Sequence, residues 1–103
     1  MIKLSVLYPN APDKSFDMDY YLNTHIPLVK RSLGAACKGI SVDQGLAGGA
    51  PGSPATYHVV CEIIFDSIAD MDAVMSQHGA TLMADVPNYT NLQPSVQVSE
   101  VKL

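Results

Sequence analysis

Phe16-Asp17-Met18-Asp19-Tyr20-Tyr21-Leu22-Asn23-Thr24-His25-Ile26-Pro27-Leu28-Val29 reads as an amphipathic helix with a proline set into it. Asp17 stands where an N-cap carboxylate accepts from the free amides of the first turn. Phe16 and Tyr21 occupy the two positions of a hydrophobic staple. Met18, Tyr21, Leu22, His25 and Val29 recur at three- and four-residue steps, so they are expected to share one inward face. Pro27 cannot donate to the carbonyl four residues back, and its ring crowds that turn, so the helix must bend or loosen beside His25. The helix is expected from about Asp17 to Ser32, with Gly34 as a left-handed C-cap residue.

Outward from this helix the chain alternates. Ile2, Leu4, Val6 and Tyr8 interleave with Lys3, Ser5 and Leu7, which predicts a strand ended by Pro9-Asn10-Ala11-Pro12. Ala36 to Leu46 reads as a second strand, with Ile40 and Val42 on one side. Gly45 to Pro54 is dense in glycine and proline and forms a connecting loop or flap; its spacing is not that of a nucleotide-binding turn. Thr56 to Phe65 is the strongest strand, with Tyr57, Val59, Cys61, Ile63 and Phe65 on one face. Ser67 opens a second helix with Ile68, Met71, Val74, Met75 and His78 as its stripe. Gly79 is expected to interrupt that helix before a shorter turn from Ala80 to about Asp85. A last strand contains Val96 and Val98, and a phase slip toward Val101 suggests a bulge near Ser99.

Strand, helix, strand, strand, helix, strand is the α+β order of a ferredoxin-like βαββαβ unit, a four-stranded antiparallel sheet with helices on one face. The other face would present Leu7, Val60 and Ile64 among polar residues. A domain that leaves three large aliphatics on an open sheet gains by laying that face against a second copy, so a homodimer is expected.

The 103 residues suffice for one domain, residues 1–103, built round one core. Hydrophobic residues make up 48% and charged residues 16%, a composition that excludes disorder. With a net charge of −4 and no basic stripe, nucleic acid is not an expected partner. No apolar run approaches membrane-spanning length and no targeting segment precedes Ile2, so a cytoplasmic protein is expected. Cys37 and Cys61 are expected to remain packed thiols.

None of the three histidines belongs to a pair at ligand spacing, so no metal site is expected. His25 and His78 both fall on inward helical stripes and are expected to approach one cavity from two sides. His25, one turn from Tyr21, is the expected proton acceptor or donor. Tyr8, Tyr21, Tyr57 and Tyr89 supply aromatic walls and phenolic donors for a small hydrophobic, phenolic or carbonyl-bearing metabolite. His58 is expected on the opposite sheet face. No serine sits in a nucleophile turn.

Tyr8-Pro9-Asn10, Phe16-Asp17, Tyr20-Tyr21, His25-x-Pro27-Leu28-Val29, Gly45-Leu46-Ala47-Gly48-Gly49-x-Pro51-Gly52, His78 and Asp85-Val86-Pro87-Asn88-Tyr89-Thr90 together resemble the EthD family, end to end. The resemblance implies a dimeric α+β barrel of two ferredoxin-like subunits joined sheet to sheet. It points to His25, His78, Asp85, Asn88 and Tyr89 as the family-like polar positions. It implies small-molecule work in ethyl tert-butyl ether degradation or on polyketide intermediates, of oxidoreductase or lyase type, often under the name reductase. Nothing in the residues provides for a nicotinamide or flavin, so no cofactor is expected. An accessory ligand-binding dimer, and a barrel holding haem on His25 or His78, are the alternatives.

Overall fold

A computed structural model describes all 103 residues. Strands β1 (Ile2–Pro9), β2 (Gly39–Gln44), β3 (Tyr57–Phe65) and β4 (Ser95–Glu100) form one antiparallel sheet in the order β2-β3-β1-β4. Helix α1 is composite: an α-helical start at Met18–Tyr20, a π-helical segment Tyr21–His25 and an α-helix Ile26–Leu33. Helix α2 is Ile68–Asp85, followed by a 3-10 turn at Val86–Asn88. This is the ferredoxin-like arrangement expected from the element order.

The core lies between the helices and one sheet face. Leu4, Tyr8, Val59, Cys61, Ile63 and Phe65 from the sheet meet Tyr21, Ile26, Val29, Leu33, Met71 and Leu82 from the helices. The alternate residues Lys3, Ser5, Leu7, Val60, Glu62 and Ile64 form the other face and are half-buried, with Lys3 and Glu62 paired across it at 3.1 Å.

Helix α1 begins as its sequence dictates. Asp17 Oδ1 accepts from the Tyr20 amide at 3.0 Å, and the Phe16 and Tyr21 rings meet at 5.1 Å. The defect at Pro27 takes the form of a π segment rather than a simple kink. Ile26 N–H reaches the Tyr21 carbonyl, five residues back, so the bond that proline cannot make is bypassed by a wider turn. The extra residue rotates the helix phase: Tyr21, His25 and Ile26 are all buried, while Leu22, expected inside, is 45% exposed. Gly34, at φ 56°, ends the helix as expected.

Three further expectations are corrected. β2 is shorter than Ala36 to Leu46, because a 3-10 turn at Gly34–Ala36 takes up its start. Gly79 does not interrupt α2, which runs unbroken to Asp85; a glycine costs about 1 kcal/mol in a helix, and packing of Met71, Met75 and Leu82 on either side of it outweighs that. The bulge lies not near Ser99, where β4 pairs regularly through Glu100, but between Tyr8 and Pro9, where proline withdraws a ladder donor. His58 is the extra residue there, and its ring stands edge-on to Phe16 at 5.4 Å rather than lying plainly on the open face.

Gly79 has ordinary helical backbone, and an added Cβ would meet Met75 Cε at an unstrained 3.5 Å. Gly79→Ala is therefore expected to stabilise the fold by ~0.5–1 kcal/mol, read as a higher urea midpoint at unchanged slope.

Candidate active site

The π segment places His25 under the sheet, 6% exposed, with the Tyr21 ring stacked on it at 5.5 Å and 17°. The segment after α2 comes to meet it. Phe16 bridges to Thr90, the Asp17 amide donates to the Tyr89 carbonyl at 2.7 Å, and Thr90 Oγ1 donates to the Ser15 carbonyl at 2.7 Å. Asn91 Oδ1 accepts from the Ser15 amide at 2.8 Å. This strap holds Asp85, Asn88 and Tyr89 against the start of α1.

Asp85 Oδ2 lies 2.8 Å from His25 Nδ1, while Oδ1 accepts from the Tyr20 hydroxyl at 2.7 Å and from Asn88 Nδ2 at 2.9 Å. Burial pushes the Asp85 carboxyl upward, but the hydrogen bonds from Asn88, His25 and Tyr20 outweigh it and hold the group below its ordinary range. An ionised carboxylate only accepts, so the proton between the two residues sits on Nδ1, and in the neutral form of the ring the lone pair is on Nε2.

Nε2 is loosely held. Its neighbour in the chain is the Tyr89 hydroxyl at 3.4 Å, longer than an ordinary hydrogen bond. The Tyr89 hydroxyl is in turn 2.7 Å from that of Tyr8. Burial pushes the phenols of Tyr8, Tyr21 and Tyr89 upward, which keeps all three as neutral donors. Tyr8, Tyr21, His25 and Tyr89 line one cavity of ≈ 60 Å³ whose other walls are apolar, among them Ile26, Met75 and Met83. The arrangement is a carboxylate, an imidazole and a pair of phenols in series, ending in a small hydrophobic space. It is suited to taking a proton from, or giving one to, an oxygen or carbon atom held there.

Six of the expected positions thus converge: His25, Tyr21, Tyr8 and Tyr89 on the cavity, with Asp85 and Asn88 behind the imidazole. His78 does not join them. It is half-buried, makes no side-chain hydrogen bond and is absent from the cavity wall. Met75 and Leu82 hold that wall, and His78 lies about 60° round the helix from Met75, at the margin of the stripe. Tyr20, which the sequence reading did not single out for a role, proves to be the third donor to Asp85; its adjacency to Tyr21 is the one local signal. Asn88 was findable from its three-residue spacing after Asp85. Cys61 lies on the cavity wall as a free thiol that burial pushes up to about 11. No group of three metal-ligating side chains is assembled. No helix is long and apolar enough to cross a membrane.

Residues 12–93 match the family model of the EthD domain. The chain is similar to an EthD-like protein from Ralstonia eutropha JMP134, with 42% identity, coverage of 99% of this chain and 92% of that one, and a TM-score of 0.93. An ethyl tert-butyl ether degradation (EthD) family protein from Bacillus halodurans C-125 shares its fold at 20% identity, coverage of 99% of each chain and a TM-score of 0.76. So does a dimeric protein of ferredoxin-like fold from Bacteroides fragilis NCTC 9343, at 15% identity, coverage of 97% and 95%, and a TM-score of 0.53. None of the curated proteins compared with the chain matches it.

Proposed function

This chain belongs to the EthD family, and from that premise we propose that it is a small-molecule enzyme in which His25 performs acid/base chemistry on a phenolic or carbonyl-bearing metabolite. One observation carries the reading. His25 Nδ1 is tied at 2.8 Å to a carboxylate held ionised, while Nε2 faces an apolar cavity with a weak partner at 3.4 Å. An imidazole so fixed presents a base to whatever occupies the cavity, and the Tyr89 and Tyr8 hydroxyls can donate to an oxygen beside it. The apolar walls, bearing Met75 and Met83, favour a small hydrophobic body with a single polar end.

The working unit in this reading is a homodimer joined through the open sheet faces, burying Leu7, Val60 and Ile64. A dimeric relative in fold supports that arrangement, as do three large aliphatics left half-buried on one sheet face of a single copy.

The test is proton exchange. Small enolisable ketones and phenols incubated with the protein in D2O should show catalysed exchange of their α or ring protons by NMR, together with chemical-shift changes at His25 and Tyr89. A panel that neither binds at those residues nor exchanges would refute the proposal. Tight binding with no exchange would instead assign the cavity to carriage of the metabolite.

A further inference from the structure

The cavity beside His25 measures ≈ 60 Å³, whereas a space that encloses one benzene molecule measures about 150 Å³. A phenol or ketone can therefore put its polar end within these walls but not its whole body. The remainder has to pass the mouth, which lies beside Pro94 and Met83, the latter 52% exposed although it belongs to the wall.

That mouth leads into a trough between helix α2 and edge strand β4. Leu4 and Val6 belong to the cavity wall, and their cross-strand partners on the same side of the sheet are Val98 and Val96. The apolar floor thus continues outward onto β4, where Val96 is 54% and Val98 43% exposed. From Pro94 to Val98 it runs about 13 Å along the strand. Helix α2 supplies the opposite flank. Met75 and Met83 both line the cavity, and Gly79, four residues from each, lies on the same strip of the helix. A Cβ added at Gly79 would meet only Met75, and no atom of β4 within 4 Å, so the gap between helix and strand is open at that level. The backbone at Gly79 does not require glycine, and glycine weakens a helix; what the residue supplies is the space of its missing side chain. Every residue along the trough is uncharged. The trough also lies on the helix side of the sheet, opposite the face that the proposed dimer buries, so pairing of two copies leaves it open.

We propose that this trough is a second subsite, which takes an uncharged hydrocarbon tail of the metabolite whose carbonyl or phenolic end stands at His25. The substrate class is then an extended ketone or phenol with one polar end, and Gly79, Val96 and Val98 set the length of tail it can carry. This deepens the acid/base reading above and rests on it.

The test titrates methyl ethyl ketone and methyl hexyl ketone into the native protein, followed by NMR. The longer ketone is expected to bind about tenfold more tightly, near twofold for each methylene laid against one apolar wall. It should also shift the Val96 and Val98 methyl resonances, which the shorter one leaves alone. In Gly79→Leu, whose side chain fills the trough, and in Val96→Asp, the ratio of the two affinities should fall to about twofold or less, with a urea midpoint confirming each fold. Equal binding of both ketones by the native chain, or an unchanged ratio in either folded variant, would overturn the subsite and leave the acid/base reading standing. If neither ketone binds or exchanges its α protons, that reading and the subsite fall together. Val96 and Val98 methyls shielded from a soluble nitroxide before any ketone is added would assign the trough to a second copy of the chain and overturn the proposal.

Discussion

A His25→Gln variant is expected to retain its fold and lose turnover by ~10²–10⁴-fold, the range that a positioned general acid or base supplies. Glutamine preserves a polar side chain of similar reach and can still bond Asp85, but it offers no nitrogen lone pair that can take up a proton. The loss should fall on kcat, with KM little changed, because the apolar walls that hold the metabolite remain in place. The measurement is steady-state turnover, or the D2O exchange rate, beside a thermal melt that confirms folding. Unchanged turnover in a folded variant would remove the imidazole from the chemistry.

The second large effect is expected at Asp85. In Asp85→Asn the amide oxygen can still accept from Tyr20 or from the ring, but the amide nitrogen must donate, and the free-standing lone pair on His25 is drawn toward Nδ1. The proton then moves to Nε2, the atom that faces the cavity, and the base is lost although every heavy atom keeps its place. A fall of ~10²-fold or more in turnover is expected, with the ¹⁵N shifts of the ring reporting the exchange of tautomer. A role confined to packing would leave those shifts alone.

The same carboxylate sets an acid limb to stability. Its folded value lies below the ordinary 3.8, so the ionised form is favoured by folding. That contribution is complete above about pH 4 and fades as pH falls through the depressed folded value. Asp85→Asn should flatten this part of the stability profile, measured by urea unfolding between pH 2 and 5.

Much of the scaffold was legible because it is written in short-range pattern. Alternation marks Ile2 to Tyr8 and Tyr57 to Phe65 as strands, and the Asp17 cap with the Phe16–Tyr21 staple marks the entry to α1. Periodicity also put His25 inside. It erred at Leu22, because an ideal 3.6-residue count cannot anticipate the wider turn at Tyr21–His25, two to six residues ahead of Pro27. It erred at Gly79 because propensity is a local quantity and helix continuity here is decided by packing. The union of His25 with Asp85 and Tyr89 joins residues 60 and 64 positions apart, and nothing in local pattern encodes it. Family resemblance named those positions, whereas geometry was needed to show Tyr20 as a partner of Asp85 and to leave His78 outside.

The strap that joins Ser15 and Phe16 to Thr90 and Asn91 spans most of the polypeptide. On the ribosome the first of these segments emerges long before the second is made, and until then His25 has neither its carboxylate nor its phenol. A nascent or C-terminally clipped chain therefore carries an ordinary, solvated histidine with no aligned acceptor. In the reading proposed above, the base is therefore aligned only once residues 85–91 have folded against the start of α1.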